Sequence, residues 1–242
     1  MKIAIVTGIN GQLGRAIKKK LIKKNFKVIG IDLNKLKDSN QNINYKCDIS
    51  NEKEVATLFK DLKKNKIFPE ILINNAGIGA YGHIKYRKEI EIKKVMNVNL
   101  LGTINLIKQF YLHSKNSKKL RKIINIASIY GYIAPKFEIY GKNDSRYSSE
   151  IYCSTKAGII QMTKYFAKNF AGENIIVNAI SPGGIINKKL QTKNLIKNYS
   201  KNVPLKRMSE LKDITGPIYF LCMDESNYIN GQNIIIDGGL SC

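Results

Sequence analysis

The sequence predicts one α/β domain, in which helices cover both faces of a doubly wound, parallel sheet of seven strands. Two observations predict this class. Short β-branched runs alternate with longer amphipathic stretches, and no linker, low-complexity tract or internal repeat interrupts the alternation. The 242 residues, 43% of them apolar, suffice for one domain with a large core. We therefore treat 1–242 as a single domain.

The elements follow one another in a regular order. The predicted strands are near-continuous apolar runs at 2–6, 27–31, 43–47, 70–74, 122–127, 174–180 and 233–237. The stretches with helical spacing of apolar residues lie at 12–24, 51–65, 86–96, 98–117, 150–170 and 210–222. Because helices connect the strands, the carboxyl ends of the strands share one edge of the sheet, where ligands of such folds bind.

Composition excludes several classes of protein. The net charge is +23, but only five of the 41 basic residues are arginine and they form no stripe interleaved with aromatics. We therefore predict no specific nucleic-acid partner. No apolar run reaches 18 residues, and the first strand leads straight into a glycine-rich turn, which predicts a cytoplasmic protein without a membrane span. The four cysteines show no metal-ligand spacing, so we expect reduced thiols and no metal site.

The first strand runs into TGINGQLG (7–14) and then into a helix. Free backbone N–H groups and the helix dipole converge at such a turn and bind anions. Gly8 permits the turn, Gly11 permits close approach of a pyrophosphate and Gly14 permits tight helix–strand packing. An ordinary βα turn is the alternative. The context favours a dinucleotide site, and the other predicted contacts in the turn are Asn10, Gln12 and Leu13.

Asp32 ends the second strand, 18 residues past Gly14. A carboxylate there accepts hydrogen bonds from the ribose hydroxyls and repels a 2′-phosphate. The sequence therefore predicts NAD rather than NADP, with Leu33 beside the ribose.

Two further strand ends carry candidate cofactor contacts. Asp48 and Ile49 follow the third strand in CDIS, where Asp48 bonds the adenine amino group or shares a helix-capping role with Ser50. NNAG (74–77) ends the fourth strand, and its predicted contacts are Asn75, Ala76 and Gly77. Stabilisation of the central sheet is the alternative interpretation of NNAG.

Ser128, Tyr152 and Lys156 have the chemistry for carbonyl reduction. A tyrosine transfers a proton poorly near neutral pH, because its ordinary pKa is about 10. A neighbouring ammonium group lowers that pKa, and Tyr152 and Lys156 share one helix face at i and i+4. Ser128 follows a strand and is placed to bond the substrate oxygen. A surface helix pair is the alternative for the Tyr–Lys spacing alone.

In combination these motifs resemble the short-chain dehydrogenase/reductase family over essentially the full chain. The matching pieces are TGINGQLG, CDIS, NNAG, NVNLLG, NIAS, YCSTK, VNAISPGG and GQNIIIDGG. The resemblance implies a Rossmann-type fold, a homodimer or homotetramer, and a catalytic tetrad of Asn99, Ser128, Tyr152 and Lys156. In that tetrad Asn99 supports a water that relays protons to Lys156, and Lys156 also holds the nicotinamide ribose.

The resemblance also implies cofactor contacts after the sixth strand, at Pro182, Gly183, Ile185 and Asn187. The chain departs from the family at two places. Gln12 stands where shorter members have a glycine, and Asn187 stands where many have a threonine that contacts the nicotinamide amide. An asparagine side chain still bonds that amide.

The spacing from Ser128 to Tyr152 is about twice that of most relatives, and 137–149 is the inserted part. We expect it near the active-site mouth, with Tyr130, Tyr140, Arg146 and Tyr147 as candidate substrate contacts; an oligomer contact or a plain surface loop is the alternative. These side chains suit a polar, sugar-like substrate that carries a phosphate. The polar segment 185–215 resembles the family's mobile substrate lid.

The prediction is an NAD-dependent oxidoreductase that interconverts a secondary alcohol and a ketone, on a sugar, sugar phosphate or nucleotide sugar. The pattern resembles a subgroup linked to bacterial surface-sugar biosynthesis. A 3-oxoacyl-(acyl-carrier-protein) reductase is the alternative enzyme; such enzymes prefer NADPH, which Asp32 argues against. A non-catalytic, nucleotide-sensing scaffold is the alternative of another class, and it would tolerate loss of the Tyr152 hydroxyl.

Overall fold

The computed structural model describes residues 1–34, 39–40, 42–113, 118–140 and 147–242. Seven strands form one parallel sheet in the order β3-β2-β1-β4-β5-β6-β7. They are Ile3–Thr7 (β1), Lys27–Asp32 (β2), Asn42–Lys46 (β3), Ile71–Asn74 (β4), Arg121–Ile126 (β5), Ile175–Pro182 (β6) and Asn233–Ile236 (β7). The predicted fold class is confirmed, and each strand lies within two residues of its predicted bounds.

The helices are Gln12–Lys23 (α1), Glu52–Lys64 (α2), Glu89–Met96 (α3), Gly102–His113 (α4), Glu150–Asn169 (α5), Lys193–Asn202 (α6) and Leu211–Cys222 (α7). A π-helical turn, Asn97–Leu101, joins α3 to α4 where the sequence predicted a break. Residues 114–117 of the predicted helix 98–117 lie outside the described residues. The sequence did not predict α6, because Leu195, Ile196 and Tyr199 are its only apolar residues.

Apolar clusters cover both faces of the sheet. α2, α4 and α5 pack on one face, and α1 and α7 pack on the other. A third cluster joins α6 to the chain that follows β5, through Leu195, Tyr199, Ile129 and Ile139. The predicted lid, 185–215, thus contains a helix that is packed against the inserted segment. No helix in the described ranges is long and apolar enough to span a bilayer.

The strand order reverses at β1, which lies between β2 and β4. Crossover connections leave the sheet in opposite directions there, so a crevice opens at the carboxyl ends of β1 and β4. The side chain of Asn75 closes the base of this crevice by donating to the backbone oxygen of Thr7 at 2.8 Å. The Thr7 hydroxyl accepts from the backbone N–H groups of Asn75 and Ala76 at 3.0 and 2.9 Å. The NNAG segment therefore stabilises the central sheet as well as bordering the crevice.

Candidate active site

The amino end of α1 is suited to an anion. Its N-cap is Gly11, with no side-chain hydrogen bond to the cap and no acidic residue in the first turn. Gly8 has φ of +63°, and a Cβ on Gly14 would lie 2.1 Å from the Gly8 oxygen, so the turn lies directly against the helix. The first-turn N–H groups and the helix dipole then favour negative charge. This cradle fits the pyrophosphate of a dinucleotide.

Asp32 lies at the end of β2 beside this turn. Its carboxylate accepts a hydrogen bond from the backbone N–H of Asn10 at 2.9 Å. The Asn10 side-chain oxygen is buried and has no hydrogen-bond partner among the described residues. An unpaired buried acceptor beside a carboxylate fits a group rich in hydroxyls, such as a ribose. Leu33, with 59% of its surface exposed, follows at the rim.

Local hydrogen bonds and core packing fix the third strand end. Asp48 accepts hydrogen bonds from the backbone N–H and the hydroxyl of Ser50, at 2.9 and 2.7 Å. Asn51, rather than Asp48, caps α2. Ile49 is buried in the core beneath α4, where a Cβ on Gly102 would lie 2.7 Å from its side chain. The predicted cofactor contact at Ile49 stays a prediction, and this packing leaves its backbone rather than its side chain for such a contact.

Ser128, Tyr152 and Lys156 come together where β5 meets α5. Ser128 follows β5, and Tyr152 and Lys156 lie in the first two turns of α5. The Tyr152 hydroxyl lies within reach of the Ser128 hydroxyl. The Lys156 ammonium donates to the Ile126 backbone oxygen at 2.8 Å and lies 5.6 Å from the centre of the Tyr152 ring. A proton donor and a second hydrogen-bond donor thus meet at one point.

Burial determines the protonation of this pair. It raises the pKa of Tyr152 to about 12, and the hydrogen bond from Ser128 offsets only part of that rise. Burial also lowers the pKa of Lys156 to about 8. The expectation that the ammonium lowers the Tyr152 pKa below its ordinary value is therefore wrong for the free protein. The physical reason is that desolvation disfavours the charged form of each group, and it is the largest cause of both shifts.

Asn99 positions neighbouring elements. It is fully buried in the π-helical turn, and its amide exchanges two hydrogen bonds of 2.9 Å with the backbone of Ile78. It also donates to the Thr155 hydroxyl at 3.0 Å. Thr155 precedes Lys156, so Asn99 ties the chain after β4 to the active-site turn of α5. Its predicted role in supporting a water stays a prediction.

Gly131 allows the turn after Ser128 to approach α5. A Cβ on Gly131 would lie 2.5 Å from the Lys156 backbone carbon and 2.7 Å from the Ala157 nitrogen. We expect Gly131→Ala to lower the free energy of unfolding by about 1–3 kcal/mol, because the backbone must shift. The corresponding fall in Tm, on the order of 2–10 °C, is measured by calorimetry. Gly216→Ala in α7 is the control, since nothing lies within 4 Å of its Cβ position; equal losses in both variants would contradict this packing argument.

Two cavities meet at Tyr152. The first, of about 400 Å³, extends along the strand ends toward α1 and is bordered by Leu13, Asn75, Gly77, Lys156, Pro182 and Ile185. The second, of about 480 Å³, extends beneath α6. Ser128 and Tyr152 border both cavities. A cofactor in one and a substrate in the other would therefore meet at the reactive hydroxyls.

Tyrosines dominate the second cavity. The lining tyrosines are Tyr81, Tyr130, Tyr140, Tyr152 and Tyr199. The hydroxyls of Tyr130 and Tyr140 lie 2.7 Å apart, and the Tyr199 hydroxyl accepts from the Gly184 N–H at 2.6 Å. Burial raises the pKa of Tyr199 to about 12 and also raises the pKa of Tyr140. The Tyr140 and Tyr199 hydroxyls are therefore protonated at neutral pH.

The predicted substrate contacts divide into three groups. Tyr130 and Tyr140 line the second cavity. Tyr147 packs edge-on against Phe137, with ring centres 5.2 Å apart, and is not among the described lining residues. Arg146 lies outside the described residues.

Sequence reasoning missed other lining residues, chiefly Tyr81, Ser148, Gln191 and Tyr199. A local sequence pattern does indicate Tyr199, because it lies four residues after Leu195 and shares a helix face with it. Tyr81 and Ser148 form an isolated antiparallel bridge between distant segments, which no local pattern indicates.

Known proteins resemble this chain in sequence and fold. A family model described as enoyl-(acyl carrier protein) reductase matches residues 10–241. A short-chain dehydrogenase of Leptospira borgpetersenii, solved with bound NAD+, is 36% identical with a TM-score of 0.93, covering 100% of this chain and 93% of its own. The chain belongs to the short-chain dehydrogenase/reductase family. The predicted oxidoreductase class is confirmed.

Two further members of the short-chain dehydrogenase/reductase family differ in what their names describe. A 4-hydroxyisoleucine dehydrogenase complexed with NADH is 32% identical with a TM-score of 0.86, covering 100% of this chain and 99% of its own. The 3-oxoacyl-(acyl-carrier-protein) reductase FabG of Buchnera aphidicola is 30% identical, covering 99% of this chain and 97% of the relative. The names of all three proteins describe oxidoreductases, and the two solved structures contain NAD+ or NADH. The names differ in substrate, so they leave the substrate class of this chain open.

Proposed function

We propose that this chain is an NAD-dependent dehydrogenase that interconverts a secondary alcohol and a ketone on a hydroxyl-rich, sugar-like substrate. The observation that carries the proposal is the position of Ser128 and Tyr152, whose hydroxyls border both cavities. A role for the product in surface glycan synthesis is the finer form of this proposal. A cytosolic location and a homodimeric or homotetrameric assembly stay predictions.

The chain supplies the proton transfer. When bound, the nicotinamide accepts or supplies the hydride at the substrate carbon. During reduction the Tyr152 hydroxyl gives its proton to the carbonyl oxygen, and Ser128 donates a second hydrogen bond to that oxygen. The Lys156 ammonium, 5.6 Å from the centre of the Tyr152 ring, stabilises the phenolate that forms. In oxidation the same groups act in reverse.

The lining of the second cavity supports an uncharged, hydroxyl-rich substrate. None of the described residues that line it is charged, whereas five are tyrosines and others are Gln12, Ser148, Asn187 and Gln191. Tyrosine offers a flat apolar face and a hydroxyl, which together suit a sugar ring. Burying a phosphate there would leave its charge without a cationic partner among these residues.

The 3-oxoacyl thioester reductase is the second candidate, and the name of the Buchnera relative favours it. Asp32 argues against it, because a carboxylate that accepts the Asn10 N–H at the ribose position repels the extra phosphate of NADPH. The two candidates therefore differ in both substrate and cofactor.

A substrate panel separates them. We would follow nicotinamide absorbance with NAD+ or NADP+ and free aldoses, polyols, sugar phosphates and nucleotide sugars, and run a 3-oxoacyl thioester with NADH or NADPH in parallel. Oxidation of an uncharged sugar or polyol with NAD+ is the expected result. Reduction of the thioester alone would contradict the proposed substrate class.

The cofactor preference has its own test. We expect Asp32→Asn to weaken NAD+ binding roughly 10- to 100-fold, since a hydrogen bond to a charged acceptor is lost, and to improve use of NADP+. The amide oxygen still accepts from the Asn10 N–H, so the turn is retained. The measurement is kcat/KM with each cofactor. Asp224→Asn, at an exposed carboxylate paired with Lys2, is the control, and an unchanged NAD+/NADP+ ratio in Asp32→Asn would contradict the assignment.

A further inference from the structure

The turn after β1 and the segment after β6 are bridged by the side chain of Gln12. Its amide nitrogen donates to the Ile186 backbone oxygen at 2.7 Å. Its amide oxygen accepts from the Asn187 side chain at 3.0 Å. β1 and β6 are not neighbours, because β4 and β5 lie between them in the sheet. The bridge therefore crosses the crevice at the carboxyl edge.

The partner segment is itself held in place. The Asn187 N–H donates to the Gln191 side-chain oxygen at 2.6 Å, and the Gln191 nitrogen donates to the Ile185 oxygen at 3.0 Å. The Asn187 side-chain oxygen accepts from the Lys189 N–H at 3.1 Å. Asn187 thus has both amide atoms engaged, and it presents its nitrogen to Gln12.

The bridge stands on the path that a dinucleotide would take. Gln12 is the first residue of α1, beside the anion cradle, and it borders the second cavity. Ile185, next to the bridged residues, borders both cavities. A dinucleotide bound at Asp32 with its nicotinamide beside Tyr152 passes the amino end of α1, where the bridge crosses.

We propose that Gln12 gates exchange of the dinucleotide rather than serving as the direct cofactor contact that the sequence predicts, an inference that rests on the proposed NAD-dependent function. The bridge joins the amino end of α1 to the segment after β6, so a dinucleotide that enters or leaves between them must break it. If the bridge is equally stable with and without bound dinucleotide, it slows association and dissociation of the dinucleotide by the same factor. The Kd for the dinucleotide is then unchanged. A glycine at position 12 has no side chain with which to form this bridge.

The test compares NADH exchange in wild type and Gln12→Ala. The chain has no tryptophan, so NADH fluorescence in a stopped-flow instrument reports binding without interference from that residue. Association is measured by mixing, and dissociation by displacement with excess NAD+. We expect both rate constants to rise about tenfold, equivalent to about 1.4 kcal/mol at the barrier, with Kd changed less than about twofold.

Two further variants complete the test. Gln161→Ala, at an exposed glutamine on α5 that borders neither cavity of the site, is the matched control. Asn187→Ala in the Gln12→Ala background should not raise the association rate constant further, because the bridge is already absent. Calorimetry on each variant verifies folding.

Each other outcome would overturn the inference. A rise in the dissociation rate constant alone, with a weaker Kd, would make Gln12 a direct cofactor contact. Unchanged rate constants would mean that the bridge has no effect on exchange of the dinucleotide. If wild type failed to bind NADH at all, the proposed cofactor, rather than the gate alone, would be wrong.

Discussion

Tyr152→Phe should lower kcat by about 10²- to 10⁴-fold, the usual contribution of a positioned acid or base. The substitution removes only the hydroxyl beside Ser128 and leaves the ring 5.6 Å from the Lys156 ammonium. NADH binding should therefore persist. The measurements are steady-state turnover with the best substrate of the panel and NADH titration by fluorescence.

The matched control for Tyr152→Phe is Tyr165→Phe, on the same helix with 61% of its surface exposed. We expect wild-type turnover from the control. Retention of more than a tenth of wild-type turnover by Tyr152→Phe would mean that another group supplies the proton. Full retention of the biological activity would favour the non-catalytic scaffold.

Lys156→Met should lower kcat/KM by about 10²- to 10³-fold, because the phenolate that forms at Tyr152 loses its only close cation among the described residues. Lys156→Arg should not restore it. Lys156 is 5% exposed, and its ammonium fits between Ile126 and Tyr152, where a planar guanidinium has different geometry. The measurement is kcat/KM for each variant, with Lys164→Met on the same helix as control.

The lowered pKa of Lys156 adds a pH signature to that prediction. With a pKa of about 8 in the free protein, its ammonium loses its proton as the pH rises through 8. We expect kcat/KM for ketone reduction to fall over that range in wild type, and the fall to be absent from the residual activity of Lys156→Arg. A wild-type profile flat from pH 7 to 9 would contradict the role of the ammonium.

The same shift has a consequence for stability. Because the folded pKa of Lys156 lies below its unfolded value, burial of the ammonium costs stability below pH 8, and the cost diminishes as the pH rises above 8. Lys156→Met should therefore melt no lower than wild type at pH 7. A well-folded variant with little activity separates the catalytic effect from unfolding.

The sequence predicts the residues at the strand ends better than it predicts the structure of the segment 185–215, which contains α6. Asp32, Asn75 and Ser128 were placed correctly at the edge of the sheet because each follows a buried apolar run. α6 was missed, since its polar composition conceals the pair Leu195 and Tyr199 that buries it. Burial of that kind depends on tertiary contacts rather than on local pattern.

Two other features could not be predicted from the sequence: the pKa shifts of buried groups and the hydrogen bonds between residues far apart in the chain. The spacing of Tyr152 and Lys156 correctly predicts one helix face, but it does not reveal that both groups are desolvated, which reverses the expected pKa shift of the tyrosine. The contact of Gln12 with Asn187 joins residues 175 positions apart, which follow the non-adjacent strands β1 and β6. The sequence marks both as departures from the family, but their pairing requires the fold.

The most direct test of the account is a crystal structure of the protein with NAD+ and the best uncharged substrate from the panel. We expect the reacting substrate oxygen to lie about 2.6–3.2 Å from both the Tyr152 and the Ser128 hydroxyl oxygens. The rest of the substrate should lie against Tyr130 and Tyr140. A substrate oxygen beyond hydrogen-bond distance of Tyr152, or a substrate bound outside the tyrosine-lined cavity, would contradict the proposed active site.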